Sequence, residues 1–211
     1  MSSGIVTASY IAASVLFILA LGGLSNQEKA KRAIWFGIIG MFIAVTATVF
    51  GPEVKISFVS FLFPALIIGS IIGAFLAQRV QMTEMPELVA ALHSFVGLAA
   101  VLIGINSDIN PPSGLVGAEI IIHEIEIFLG VFIGAITFTG SIIAYGKLAG
   151  SINGKALTLP GRHIINVGLL ALALILGWLY LQHAGIWTLI LMTFVAFIIG
   201  AHLVMAIGGA D

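Results

Sequence analysis

The sequence predicts an all-α membrane protein, a polytopic bundle of about seven transmembrane helices. Its composition is 60% hydrophobic and only 8% charged, whereas soluble domains carry roughly a quarter charged residues. The apolar residues also form continuous runs of about 20, the length with which a helix crosses a hydrocarbon core of about 30 Å. Because these runs do not alternate apolar with polar residues, they favour helices over barrel strands.

The runs follow one another along the whole chain. The first has no basic region ahead of it and no clear cleavage site, so we interpret it as a retained span rather than a signal peptide. Pro, Gly and polar residues mark the turns that follow each run. We therefore expect residues 1–211 to form a single transmembrane domain without a soluble domain. The predicted helices cover residues 4–24, 33–51, 57–77, 88–106, 120–146, 163–183 and 185–207.

The distribution of basic residues predicts the orientation of the chain. Seven of the eight Lys and Arg residues follow the first, third and fifth runs, and only Lys55 lies on the opposite side. The positive-inside rule then places the amino terminus outside and the carboxyl terminus in the cytoplasm. The seven are Lys29, Lys31, Arg32, Arg79, Lys147, Lys155 and Arg162.

Composition excludes several kinds of chemistry. The chain has no cysteine, which removes disulfides, thiolate chemistry, iron–sulfur clusters and Cys-ligated zinc. Its net charge is −1, and it has neither a basic patch nor a Gly-rich phosphate loop. We expect no nucleic acid, no bound cofactor and no metal site in this chain.

His93 is an ionisable residue inside the fourth predicted helix. Helical periodicity places it on a stripe with Ala90, Gly97, Ala100 and Gly104, and small residues allow helices to approach closely. The stripe therefore predicts that His93 faces neighbouring helices, about 9 Å from the inner end of its own helix. A buried histidine hydrogen-bonded to a backbone carbonyl or a hydroxyl is the structural alternative, but the cost of an ionisable group in a membrane favours function.

The fifth predicted helix carries a longer polar stripe. Its small and polar residues fall within about an 80° sector of one face, and carboxylates and hydroxyls on a shared face indicate water or a proton path. For the ionisable residues at the start of the helix, an ordinary solvated interface is favoured over a metal site; these are Glu119, His123, Glu124 and Glu126. The stripe consists of Glu119, His123, Glu126, Gly130, Gly134, Thr137, Ser141 and Ala144.

His202 lies near the inner end of the seventh predicted helix, at a depth similar to that of His93. Packing and function remain open for it. A haem-binding anchor with His93 and His202 as axial ligands is one alternative function. A secondary transporter for a small solute is another, although we find no internal repeat and no pair of broken helices.

Three segments resemble the membrane domain of the beta subunit of proton-translocating nicotinamide nucleotide transhydrogenase. They are MTEMPELVAALHSFVGLAAVLIGIN at 82–106, FLGVFIGAITFTGSIIAYGKL at 128–148 and HLVMAIGGAD at 202–211. The resemblance implies an enzyme complex that transfers a hydride between NAD(H) and NADP(H) while protons cross the membrane. The nucleotides bind two soluble domains elsewhere in the complex, so this chain would contain no hydride-transfer site.

The resemblance also implies roles for particular residues. His93 matches the membrane histidine that the family uses in proton translocation, and Asp211 matches the acidic residue that communicates with the NADP(H)-binding domain. The polar stripe of the fifth helix and the depth of His202, rather than the resemblance, add a candidate proton path through Glu119, His123, Glu126, Thr137, Ser141 and His202. His123 and Glu126 fit an HxxE pattern of the family to which no role is attached.

The resemblance further predicts the partners and the location of the chain. The expected partners are the alpha subunit or subunits, the NADP(H)-binding domain, a second copy of the assembled complex and the lipid bilayer. The family continues beyond GGAD with more helices, so we expect the chain to be a fragment. We expect the bacterial inner membrane as its location, in preference to the mitochondrial inner membrane.

Overall fold

The computed structural model describes residues 2–24, 28–52 and 56–208. Over these residues the chain is all-helical, with no strand, and contains seven helices that are long and apolar enough to cross a membrane. The predicted fold class is thereby confirmed. The helices are α1 Ser3–Leu24, α2 Ala30–Val49, α3 Ile56–Arg79, α4 Met85–Ile109, α5 Ala118–Leu148, α6 Arg162–Leu181 and α7 Ile186–Met205.

Local sequence explains where α4 begins and where α6 and α7 separate. A 3₁₀ turn at Met82–Glu84 precedes α4, and Gln81 and Glu84 form a reciprocal capping box around it. Pro86 lies in the first turn of α4, where a missing N–H costs nothing, so the helix starts earlier than predicted. His183 and Gly185 both have positive φ values, 57° and 110°, and end the turn between α6 and α7.

The chain divides into two compact units, residues 1–78 and 79–211. In the first unit, α1 and α2 pack against each other through small residues such as Ala13, Ala33 and Gly40. Gly40 lies so close to α1 that an added Cβ would be 3.3 Å from the carbonyl oxygen of Ala13. The hydroxyls of Tyr10 and Thr48 are hydrogen-bonded at 2.9 Å. In lipid, burial of apolar area does not drive helix association, so close contact between small residues helps to hold the helices together.

The second unit has α5 at its centre. This helix packs against α4 and α7, and α6 packs mainly on α7. A Cβ added at Gly97 of α4 would lie 2.6 Å from the backbone nitrogen of Phe138 and 2.7 Å from the carbonyl oxygen of Gly134. At Gly200 of α7 an added Cβ would likewise collide with the backbone of Ile136. These glycines let three helix backbones touch.

A buried cluster fills the remaining space of the second unit. Leu189 and Met192 of α7 and Val131 of α5 are among its fully buried side chains. Large apolar side chains such as Phe95 and Ile164 lie on the surface instead, as expected for helices that face lipid. The cluster consists of Val101, Ile127, Val131, Ala135, Ala173, Leu176, Tyr180, Leu189, Met192, Val195, Ala196 and Ile199.

Candidate functional site

His93 lies on α4 but outside its packed face. The buried residues of α4 are Ser94, Gly97, Val101 and Gly104, whereas His93 is exposed. At about 100° per residue, His93 is roughly 60° from the centre of these four. Within the described residues, His93 therefore lies beside the face that α4 packs against its neighbours, and not on that face as predicted. Ser94 and Val101, rather than His93, complete the packed face.

The hydrogen bonding of His93 leaves one ring nitrogen for proton exchange. Its Nδ1 lies 3.2 Å from the carbonyl oxygen of Val89. Because a carbonyl oxygen only accepts hydrogen bonds, Nδ1 carries the hydrogen in this contact. Nε2 of an exposed ring then remains able to bind a second proton.

The register of α4 and α5 defines what lies at the depth of His93. Gly97 packs against Gly134 and Phe138 of the antiparallel α5. His93 is one turn earlier in α4, so it lies at the level of the α5 turn that carries Ser141. Ser141 is half-buried, and a proton acceptor and a hydroxyl thus share one depth.

The predicted polar stripe of α5 runs along the border of its packed face. Gly134 is buried, Glu119 and Glu126 are exposed, and the other members are half-buried. The hydroxyl of Thr137 donates to the carbonyl oxygen of Ile133 at 2.8 Å, and Glu119 Oε2 accepts from the N–H of Val116 at 3.2 Å. The stripe is accessible over much of its length.

A cavity of about 300 Å³ lies where α4 ends and α5 begins, and we call it the Asp108 chamber. The hydroxyl of Tyr180, on α6, donates to Asp108 Oδ1 at 2.6 Å. Glu124 Oε1 lies 3.2 Å from His183 Nδ1. The chamber is lined by Ser107, Asp108, Pro111, Pro112, Gly114, Leu115, Ile120, His123, Glu124, Ile127 and Tyr180.

A second space, which we call the Glu126 groove, adjoins this chamber. It is lined by Ala100, Ile103, Gly104, Ser107, His123, Glu126, Ile127 and Gly130. Both spaces include Ser107 and His123 in their walls. His123 Nε2 is buried and has no hydrogen-bond partner within residues 2–24, 28–52 and 56–208. His123 therefore stands between the chamber and the groove with an unused ring nitrogen.

The opposite end of the second unit has its own polar contacts. His202 Nδ1 lies 2.6 Å from Asn166 Oδ1, and its buried Nε2 has no partner in the part of the chain that the structure describes. Lys147, at the end of α5, donates to carbonyl oxygens at the end of α7. Its Nζ lies 3.0 Å from Val204 O, 3.1 Å from Met205 O and 2.6 Å from Ile207 O.

The predicted site residues do not form one compact cluster. His123, Glu126 and Glu119 lie at the chamber end of α5, and His202 lies at the end of α7. Asp211 lies outside the described residues. We did not predict roles for Asp108, Tyr180, Asn166 or Lys147. Polar residues inside the apolar runs, such as Asn166, are the signal that could have identified some of them.

The described residues contain no group of three or more His, Asp or Glu side chains that could hold a metal ion. His202 already has one ring nitrogen bonded to Asn166, and the other is buried without access to a ligand in this arrangement. Haem ligation by His93 and His202 is therefore not favoured.

The fold and its polar positions define a multi-pass helical membrane protein with ionisable groups inside its spans. The sequence model of the family described as "NAD(P) transhydrogenase beta subunit" matches residues 6–211. The chain belongs to this family, which confirms the resemblance.

Two relatives illustrate the match. Both are named NAD(P) transhydrogenase subunit beta, one from Rhodospirillum rubrum and one from a specific strain of that organism. Each is 42% identical over 217 aligned positions, which cover 100% of this chain and 46% of the relative. The chain thus spans about half the length of the relatives it matches.

Proposed function

We propose that the chain is the proton-conducting membrane module of a transhydrogenase. The family match over residues 6–211 carries this proposal. In the assembled enzyme, proton movement through the module is coupled to hydride transfer between NAD(H) and NADP(H). The nucleotides bind other domains, and this chain binds neither of them.

His93 is the proposed proton-exchanging group. It is exposed along α4, and Nε2 is its available nitrogen because Nδ1 engages Val89. A charged imidazole is costly in hydrocarbon, so a further helix or water must cover it in the assembled complex.

The remaining candidate residues supply steps on either side of His93. Thr137 and Ser141 lie along α5 at or near its depth, and His123, Glu126 and Glu119 lie towards the chamber end. His202 lies near the other end. Together they extend a path over the roughly 30 Å that a single histidine cannot cover.

Asp211 is the proposed link to the NADP(H)-binding domain. It follows α7 by six residues, and Lys147 fixes the end of that helix through three carbonyl oxygens. Protonation of the module must favour one of two arrangements at this end for protons and nucleotides to be coupled. Coupling also requires the alpha subunit, and the complex is a dimer in the bacterial inner membrane.

Reassembly tests this proposal. The purified chain 1–211, given NADPH and an oxidised NAD analogue, should produce no reduction above buffer. Adding the other subunits and the carboxyl-terminal part should restore reduction together with acidification or alkalinisation of vesicles, and an uncoupler should abolish that pH change. Full reduction without any uncoupler-sensitive pH change would contradict the proposal.

A further inference from the structure

We propose that the Asp108 chamber is a proton-loading site, in which the Asp108 carboxylate binds the proton and Tyr180 positions that carboxylate. This inference rests on the function proposed above and names an entry point for its protons. The ligand is the hydrated proton itself.

The position of Asp108 is fixed by two helices. Asp108 lies in the last turn of α4, and Tyr180, which is only 6% exposed, lies in the last turn of α6. Their 2.6 Å hydrogen bond occupies Oδ1. Oδ2 has no hydrogen-bond partner among the residues that the structure describes. One oxygen is thus held in place while the other is available to a proton.

The charges around the chamber favour a cation over an anion. Asp108 comes from α4, His123 and Glu124 come from α5, and Tyr180 comes from α6. His183, in the turn after α6, pairs with Glu124 and is 73% exposed at its side chain. Residues 186–201 of α7 contain no titratable side chain. No Lys or Arg lines the chamber, so its two carboxylates attract hydronium from water.

The ligand set suits a proton better than a metal ion. Within the described ranges no group of three or more acidic or histidine side chains is placed to hold a metal ion, whereas Ca²⁺, for example, takes about six to eight oxygen ligands. A carboxylate oxygen and an imidazole nitrogen are sufficient to bind and pass on a proton.

The chamber has a continuation towards His93. His123 lines both the chamber and the Glu126 groove, and its Nε2 is buried without a hydrogen-bond partner among the described residues. The groove extends along α4 to Ala100. From Ala100, His93 is two turns further along the same helix, about 10 Å. A proton released by Asp108 can therefore pass along the wall that His123 shares into the groove, which ends about two turns from His93.

Proton flux in vesicles containing the assembled complex tests the role of Asp108. Asp108→Asn keeps the shape of the side chain and should lower coupled proton flux about tenfold or more when protons enter from the chamber side. Asp108→Glu should restore most of the flux. Asn110→Ala, at the same end of α4 but outside the chamber, should leave the flux unchanged.

The pH profile separates positioning by Tyr180 from simple packing. The hydroxyl of Tyr180 donates to Asp108 Oδ1 and holds the carboxylate in place. Tyr180→Phe removes the hydroxyl but keeps the ring, so it should change the pH profile of the flux on the chamber side only, whereas loss of packing alone would leave that profile unchanged. Leu115→Cys, introduced into a cysteine-free chain, identifies that side by its reaction with an impermeant thiol reagent.

Comparison with His93→Ala distinguishes a failure of the chamber proposal from a failure of the proposed function. The chamber proposal alone would be overturned if Asp108→Asn and Tyr180→Phe both kept wild-type flux and an unchanged pH profile while His93→Ala lost its flux. Full flux in His93→Ala would overturn the proposed function. If Asp108→Asn fails to assemble, the pH profile of Tyr180→Phe decides the matter.

Discussion

The contact between α4 and α5 depends on glycine at position 134 but not at position 130, one turn earlier in the same helix. A Cβ added at Gly134 would lie 2.8 Å from Gly97 O, 2.9 Å from Ala100 Cβ and 3.1 Å from Val101 N. Two of these atoms belong to the backbone, so the whole helix must move. At Gly130 nothing lies within 4 Å.

Alanine at each position isolates the cost of this clash. Both substitutions gain the same helix propensity, about 0.8–1.0 kcal/mol, and this gain cancels in their difference. Overpacking costs about 1–3 kcal/mol, so Gly134→Ala should be less stable than Gly130→Ala by that amount. Separation of α4 from α5 would also increase the distance between His93 and Ser141.

Unfolding of the two variants in detergent, titrated with a denaturing surfactant and followed by circular dichroism, measures this difference. Gly130→Ala should match or exceed the wild type in its free energy of unfolding. Equal free energies for the two variants would refute the close approach of α4 and α5 at Gly134.

Two further predictions concern the ends of the helices. Lys147→Met removes three hydrogen bonds from the end of α7. It should raise amide exchange at residues 204–208 by an amount equivalent to about 1.5–3 kcal/mol. Lys155→Met is the control, and equal exchange in both variants would contradict this role of Lys147. The basic-residue distribution predicts that Asn153→Cys reacts with an impermeant thiol reagent only from the cytoplasm and Ser113→Cys only from outside, and the opposite labelling would reverse the predicted orientation.

The sequence was sufficient for the number of helices because each apolar run is long and uninterrupted. Lipid requires every backbone group in a span to be bonded within the helix, so such runs leave no other fold. Helix ends were harder to predict, since Pro86 is compatible with a first turn and Asn106 and Asp108 are accommodated in the last turns of α4.

The side of a helix that faces its neighbours was harder to predict than the number of helices. One residue is a rotation of about 100°, so the difference between His93 and Ser94 depends on where α5 lies rather than on α4 alone. Asp108 and Tyr180 are 72 positions apart, and nothing in either run indicates that they meet. Periodicity identified the polar stripes. The residues that contact these stripes could be identified only from the packed helices.

Proton flux in the complex with His93→Ala tests the central claim most directly. Vesicles containing the assembled wild-type enzyme, His93→Ala and His163→Ala are compared, and His163 serves as the control because it is exposed at the start of α6. We predict that His93→Ala inserts and assembles normally but loses uncoupler-sensitive proton movement at saturating nucleotide, while His163→Ala retains it. Undiminished proton movement in His93→Ala would contradict the assignment of this chain as a proton pathway through His93.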